Sequence, residues 1–398
     1  MRFLSAFTLA MILATSATPA FCQIDEPDFE TIDPSSFDAD VRPQDDLFRF
    51  VNGKWLDTAK IPPDKSNYGA FGKLADLSEL RVRKLIEGLA AAEHPDGTNE
   101  QKVGDYYRAF MDEDAVNALG ADPLADALAA IDAIENRDAA FQQIATMGVY
   151  GMSQPIGCYV SQDSRNSTQY IVHIIQYGLT LPDRAYYLED EEKYHAAREA
   201  MAAYVDALFS LAGVATGADA GPSVLAFEKR LAEISWDEIE LRDVDRTYNK
   251  LTLEELSELA PGLDWTTFFT ESRIDVPPAV IVRTPSYFTG LAELIEQTPV
   301  DVLKDYLRFK WIDAMAPYLS QPFVDASFEL NGRLLSGIDE QKPRWKRAVA
   351  AVAGSGGFGA LGEVVGKLYV EKYFQAEAKA KMDQLVQNLL RAFSISID

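Results

Sequence analysis

From residue 74 onward, apolar side chains return at the spacing of one helix face, and that period leaves little room for any architecture but packed helices. Leu74, Leu77, Leu85 and Leu89 mark one long amphipathic helix, because residues three and four apart share a face when the chain turns once every 3.6 residues. The same period predicts helices over residues 103–119, 124–135, 194–211 and 224–234. Thr252 followed three residues later by Glu255 reads as a capping box, and Thr284-Pro285 reads as a cap before proline at the first helical position. One segment departs from the pattern. Residues 156–160 and 170–175 are β-prone runs separated by Asp163-Ser164-Arg165-Asn166-Ser167, so the sequence predicts a mainly α fold with a small β-hairpin near residues 156–175.

The stretch DDLFRFVNGKWL, residues 45–56, carries two local signals that disagree. Asn52-Gly53 between apolar residues is a hairpin cue, while Leu47, Val51 and Trp55, with Phe48 beside them, fall on one helix face. In the helical reading Asp45 or Asp46 is the N-cap and Gly53 costs about 1 kcal/mol relative to alanine. Local residues leave both readings open.

The 398 residues are 47% hydrophobic, enough to bury a sizeable core in one large domain or two closely connected ones. Met1-Arg2, the apolar run 3–13 and the small and polar run 14–20 read as a signal peptide over residues 1–22, cut after Ala20 or Cys22. The expectation is an exported protein, periplasmic or secreted, with no membrane span in the mature chain. Residues 23–42, rich in Asp, Glu, Pro and Ser, read as an acidic linker, and folding is expected over 43–398. Cys22 and Cys158 are the only cysteines, so cleavage after Cys22 leaves one thiol and no intrachain disulfide. A net charge of −25 without a basic patch disfavours nucleic acid and anionic membranes as partners and favours neutral or cationic peptides.

Several chemical motifs fail on context. The glycine run at residues 354–359 fits G-x-G-x-x-G, but the preceding residues 345–353 read as helix, whereas a dinucleotide site needs a strand feeding the turn. The acidic residues Glu189, Asp190, Glu191 and Glu192 are consecutive; on a helix they diverge, so they read as a solvated helix start and not as a cation site. His94, His173 and His195 are the only histidines, none at the i, i+4 spacing that holds zinc. No Cys-His pairing or G-x-S-x-G elbow is present to suggest a cysteine or serine nucleophile.

Other motifs point together. PQDDLFRFVNGKWL, IPPDKSNYGAF, QYGLTLPDRAYYL, EISWDEIELRDVDRTYNKLTLEEL, YLRFKWIDAMAPYLS, KPRWKRAV and GKLYVEKYF occur in an order that resembles the neprilysin and endothelin-converting-enzyme family of zinc metallopeptidases. The resemblance runs from Pro43 to the last residue. It implies a neprilysin-like N-terminal domain, a helix over residues 45–56, and a helical cap over an enclosed chamber that admits peptide substrates. It also implies zinc in the full-length enzyme, held by H-E-x-x-H and a further glutamate. None of these ligands is in this sequence, so no zinc is expected on this chain.

The chain is therefore expected to be the substrate-chamber half of an exported zinc metalloendopeptidase, ending before the catalytic half, with residues 43–66 and 376–398 packing on that missing half. By resemblance, Asn67 occupies the position where some relatives bind a substrate's terminal carboxylate with arginine, and Phe71 lines an apolar primed-side pocket. Asparagine lacks the charged fork, which favours general endopeptidase action. The plainer alternative is that Tyr68 and Phe71 pack in the core. Two further readings stand beside the leading one: a stand-alone, non-catalytic secreted peptide-binding protein, and a nonfunctional truncation product.

Overall fold

The computed structural model describes residues 34–215, 219–354 and 359–397. The expected signal peptide and residues 23–33 of the expected linker lie outside the described residues. The chain divides into two compact units, residues 1–60 and 61–398.

In the first unit the helical reading of residues 45–56 prevails. The helix Leu47–Thr58 starts at Asp46, whose carboxylate accepts the Arg49 N–H at 2.8 Å. Gly53 has a different purpose from the turn it suggested. Residues 36–38 lie against this helix: Asp38 N–H donates to the Phe50 carbonyl at 2.7 Å, and the Ser36 hydroxyl to the Val51 carbonyl at 3.1 Å. A β-carbon on Gly53 would come within 2.4 Å of the Asp38 β-carbon. Glycine is there for the close approach. This part of the expected linker is thus joined to the helix. Leu47 and Phe48 remain 63% and 66% exposed.

The second unit is mainly α with one small sheet. The hairpin forms as β1 (Ile156–Asp163) and β2 (Asn166–Gln176), and it belongs to a larger sheet than expected. Strand order is β1-β2-β4-β3 once β3 (Lys250–Thr252) and β4 (Ala279–Val282) are added, with β4 parallel to β2 and antiparallel to β3. Three- and four-residue strands are too short to show a period of two, which is why the sequence pattern missed them.

One face of the sheet, through Ile156, Val172, Ile174, Val280 and Val282, joins a large core built on Trp265, Phe268, Phe288, Tyr306 and Phe309. Helices Glu192–Ala212 and Ala220–Ile234 follow the predicted spans closely. The span 103–119 is instead two helices, Asn99–Met111 and Glu113–Leu119. Asp112 breaks it, because its side chain accepts the Ala115 N–H at 3.1 Å and restarts the helix. The predicted 124–135 helix is Ala125–Asp132 preceded by a 3-10 turn. Thr252 and Glu255 form their capping box. Thr284 stands at the N-cap of Pro285–Gln297, yet its hydroxyl is buried without a partner, so that cap is one of position only.

A smaller apolar cluster joins sequence-distant helices. Ile86, Val103 and Tyr107 meet Ala348, Val349, Val352 and Val365, bringing Ala70–Ala90 and Asn99–Met111 against Arg344–Ala353 and Gly362–Tyr373. On Ala70–Ala90 the packed stripe is Val82, Ile86 and Leu89; only Leu89 of the four predicted leucines belongs to it, and Leu74 is 42% exposed. The β-branched side chains of the facing helices meet that other side. Arg344–Ala353 ends at Gly354, φ 86°, so a helix and not a strand precedes the glycine run, whose residues 355–358 lie outside the described residues. The helix Ala376–Ile397 buries no residue. No helix among the described residues is long and apolar enough to cross a membrane.

Candidate functional site

Residues 62–70 make a turn that is fixed at both ends. Asp64 is buried and pairs with Lys346 at 2.5 Å, and the Glu340 N–H donates to the Pro63 carbonyl at 2.9 Å. Burial works to raise the Asp64 carboxyl, but the hydrogen bond and charge of Lys346 outweigh it and hold the group below the usual carboxylate range. Further along, Lys65 pairs with Asp76, the Tyr68 hydroxyl donates to the same carboxylate at 3.1 Å, and Lys65 lies 4.9 Å from the Tyr68 ring centre. These contacts lock the turn to the start of Ala70–Ala90.

Asn67 in the locked turn and Phe71 in the first turn of Ala70–Ala90 both face outward. Asn67 is exposed, its amide 3.4 Å from the Ser66 hydroxyl, and Phe71 is 88% exposed. Phe71 is therefore no core residue, while Tyr68 is half-buried and tied to Asp76.

Beside this turn, helices Ala70–Ala90, Arg344–Ala353 and Gly362–Tyr373 enclose a cleft of about 570 Å³. Its floor is apolar, with Val82, Val349, Val365 and Tyr369, and its rim carries Lys65, Asp76, Glu79, Lys342 and Lys346. Burial raises the Glu79 carboxyl above its ordinary value, against the pull of Lys346 and Lys342. An apolar floor with a few charged groups at the rim suits an apolar side chain next to a charged group. Neither Asn67 nor Phe71 lines this cleft. The sequence reading missed Lys65, Glu79, Lys342 and Lys346, although Lys65 lies within the IPPDKSNYGAF motif and Lys342 and Lys346 within KPRWKRAV. Only the fold brings them opposite residues 65–82.

A second cleft, about 680 Å³, lies between the two motifs QYGLTLPDRAYYL and SWDEIEL. Its walls are held from beneath by a buried ionic network. Lys310 and Glu228 are both fully buried and pair at 2.9 Å. The Glu228 oxygen facing Lys310 also accepts from the Thr180 hydroxyl at 2.8 Å, and its other oxygen accepts from the Thr180 N–H at 2.7 Å and the Tyr187 hydroxyl at 2.5 Å. Burial, with the Glu228 charge beside it, pushes the Tyr187 hydroxyl far above its ordinary value. Gly178, φ 98°, passes so close to Tyr306 that a β-carbon would lie 2.8 Å from its hydroxyl. Gln176 then ties the two motifs together, donating to the Trp236 carbonyl at 2.9 Å and accepting its N–H at 2.8 Å. The motif thus builds a rigid wall, in which Lys310, Glu228, Thr180 and Tyr187 satisfy one another.

The histidines do not fit a zinc centre. His94 contacts the Leu89 carbonyl at 3.2 Å; His195 pairs with Asp190 and lies 2.9 Å from Arg198; His173 is buried in β2, stacked on Tyr159 at 4.9 Å. Among the described residues no three His, Cys, Asp or Glu side chains are placed to hold a metal. Cys158 is half-buried, and burial pushes its thiol up to about 11, a poor nucleophile at neutral pH.

Comparison with known proteins agrees with this architecture. A model of peptidase family M13 matches residues 43–398. Endothelin-converting enzyme-like 1 of Rattus norvegicus is 30% identical over 372 residues, covering 89% of this chain and 47% of the relative. Neprilysin-3 of Drosophila melanogaster is 28% identical, covering 91% of this chain and 48% of its own length. Among solved structures, the zinc metalloprotease Zmp1 of Mycobacterium tuberculosis, in complex with an inhibitor, superposes with a TM-score of 0.84 at 38% identity, covering 92% of this chain and 55% of that one. The chain spans about half the length of the relatives it matches.

Proposed function

The chain belongs to peptidase family M13, and from that premise we propose that it forms the substrate-chamber half of an exported zinc metalloendopeptidase. Zinc and the groups that activate water belong to a catalytic region outside these 398 residues, and no step of the chemistry is assigned to this chain. The observation that carries the reading is the helix Ala376–Ile397. It presents Leu385, Leu389 and Phe393, each more than half exposed, along one stripe, and such a surface calls for a covering partner. In this reading residues 43–66 and 376–398 dock on the catalytic region, while the helices of residues 74–367 limit access to flexible peptides. Asn67 and Phe71, held outward by the locked turn, meet the substrate on the primed side of the scissile bond. Asn67 offers no charge to a terminal carboxylate, so internal cleavage is favoured over release of C-terminal dipeptides.

A second reading, a non-catalytic secreted peptide binder, draws on the 570 Å³ cleft, which is complete within residues 61–398. One experiment separates the two. The gene is sequenced beyond codon 398, and the chain is expressed both alone and with whatever follows. The leading reading expects one zinc per molecule and chelator-sensitive hydrolysis of unstructured peptides for the longer protein only. Chelator-sensitive hydrolysis by the 398 residues alone, or a stop codon after Asp398 with a stable secreted monomer, contradicts it.

A further inference from the structure

Strand β1 is an outer strand of the sheet, and its backbone faces outward at alternate residues. Tyr177 N–H donates to the Pro155 carbonyl at 3.3 Å. The pairs that exchange hydrogen bonds are therefore 157 with 175, 159 with 173 and 161 with 171, and Ile156, Cys158 and Val160 turn their N–H and C=O groups away from β2. At Ile156 this edge is closed by a side chain. Gln154, itself buried, accepts the Ile156 N–H at 2.7 Å and donates to the Ile156 carbonyl. At Cys158 and Val160 no such clamp exists among the described residues.

The open part of the edge is also unguarded. Residues 156–162 contain no lysine, arginine or proline, the residues that commonly protect edge strands from pairing. Val160 is 59% exposed and Tyr170, on the paired strand, is 73% exposed, while the Tyr159 ring is stacked on His173 and its hydroxyl accepts from Arg283 at 3.1 Å.

We propose that β1 is a peptide-docking edge, where an extended neutral or cationic peptide adds as a further strand, pairing its backbone with Cys158 and Val160. The exposed Tyr170 supplies apolar contact for the side chains of the added strand. Charge selects the occupant. A second copy of the chain brings another −25, and two outward residues pair too little surface to hold two such chains together. A short neutral or cationic peptide meets no such repulsion, so the same few pairings can hold it. The inference goes beyond the family reading, since it concerns binding by this chain without hydrolysis.

The probe is a fluorescein-labelled decapeptide of alternating threonine and valine with a lysine at each end, titrated against the purified chain by fluorescence anisotropy. Saturable binding is expected. N-methylating the residues on one edge of the peptide should weaken binding about fivefold, as loss of backbone hydrogen bonds predicts, while methylating the alternate residues should leave it unchanged. Val160→Pro, which removes an outward N–H but none of the β1–β2 ladder, should weaken binding similarly, and Val160→Thr should not. If circular dichroism shows that Val160→Pro disturbs the fold, the methylated peptides decide alone. Equal effects of the two methylation patterns, or no binding at millimolar peptide, overturn the proposal. Self-association seen by sedimentation and abolished by Val160→Pro assigns the edge to a second copy and likewise overturns it. The chamber reading is judged separately, by zinc content and hydrolysis.

Discussion

The large core and the small cluster of the second unit are held in different ways. The large core buries Trp265, Tyr287, Tyr306, Phe268, Phe288 and Phe309 almost completely and encloses a satisfied ionic network, Lys310 with Glu228, Thr180 and Tyr187. The small cluster relies on valines and alanines with Ile86 and Tyr107, and on partly exposed contacts such as Arg83 with Glu87 at 2.8 Å and Arg83 over the Trp345 ring at 4.2 Å. It leaves a 570 Å³ cleft open and is followed by a helix with nothing buried. The first region is complete in itself. The second is the more open, and in the proposed reading it is the side that meets the catalytic region.

If that contrast holds, the largest effect of a single substitution should come from the ionic network. Lys310→Met leaves Glu228 buried without its cation and should lower stability by about 3–5 kcal/mol, measured by denaturant unfolding. Adding Glu228→Leu should recover only part of this, because Thr180 N–H and the Tyr187 hydroxyl then lose their acceptor. Full recovery would show that the network is less tightly coupled than its distances indicate.

Ile86→Ala should come next. Truncating a fully buried isoleucine costs about 2 kcal/mol or more, but here the loss should appear as easier proteolysis within Ala70–Ala90 and Arg344–Ala353, with the main unfolding transition little changed. A drop of the whole transition would mean that the two regions unfold as one.

A pH effect should come next, from the sheet. Burial, then the nearby Arg283 charge, lowers the His173 pKa from its ordinary 6.5, against a smaller opposing pull from the Gln162 backbone and Asp163. The unfolded chain takes up a proton below about pH 6.5 that the folded chain resists. Stability is thus present above that value and falls as pH drops below it. His173→Phe should flatten this slope in thermal melts collected between pH 5 and 7; an unchanged slope assigns it elsewhere.

Glu79→Gln should give the smallest change. Because burial raises the Glu79 carboxyl, its ionisation opposes folding as pH rises above the ordinary value of 4.5. The amide should stabilise the chain slightly at pH 7 and leave it unchanged at pH 4, by thermal melts at both values. A loss of stability at pH 7 would show that Glu79 is paired with the rim lysines.

These differences also explain what was legible in the sequence. Long helices such as Glu192–Ala212 announce themselves through period, and the β1–β2 hairpin through β-branched runs around a polar turn. Asp112 hid a helix break because its cap role depends on one local hydrogen bond, and Gly53 argued for a turn because the approach of Asp38 is invisible from neighbouring residues. The two clefts were beyond reach for a similar reason. Asn67 and Phe71 were singled out by motif, whereas Lys346 acquires its meaning only when Asp64, distant in sequence, folds against it.

Hydrogen exchange on the chain alone, read by mass spectrometry, tests the contrast most directly. The account predicts slow exchange in Ala220–Ile234 and Val300–Met315, which lie in the large core, and fast exchange throughout Ala376–Ile397. Slow exchange of Ala376–Ile397 in a demonstrated monomer would contradict it, because that helix would then need no partner beyond the chain itself.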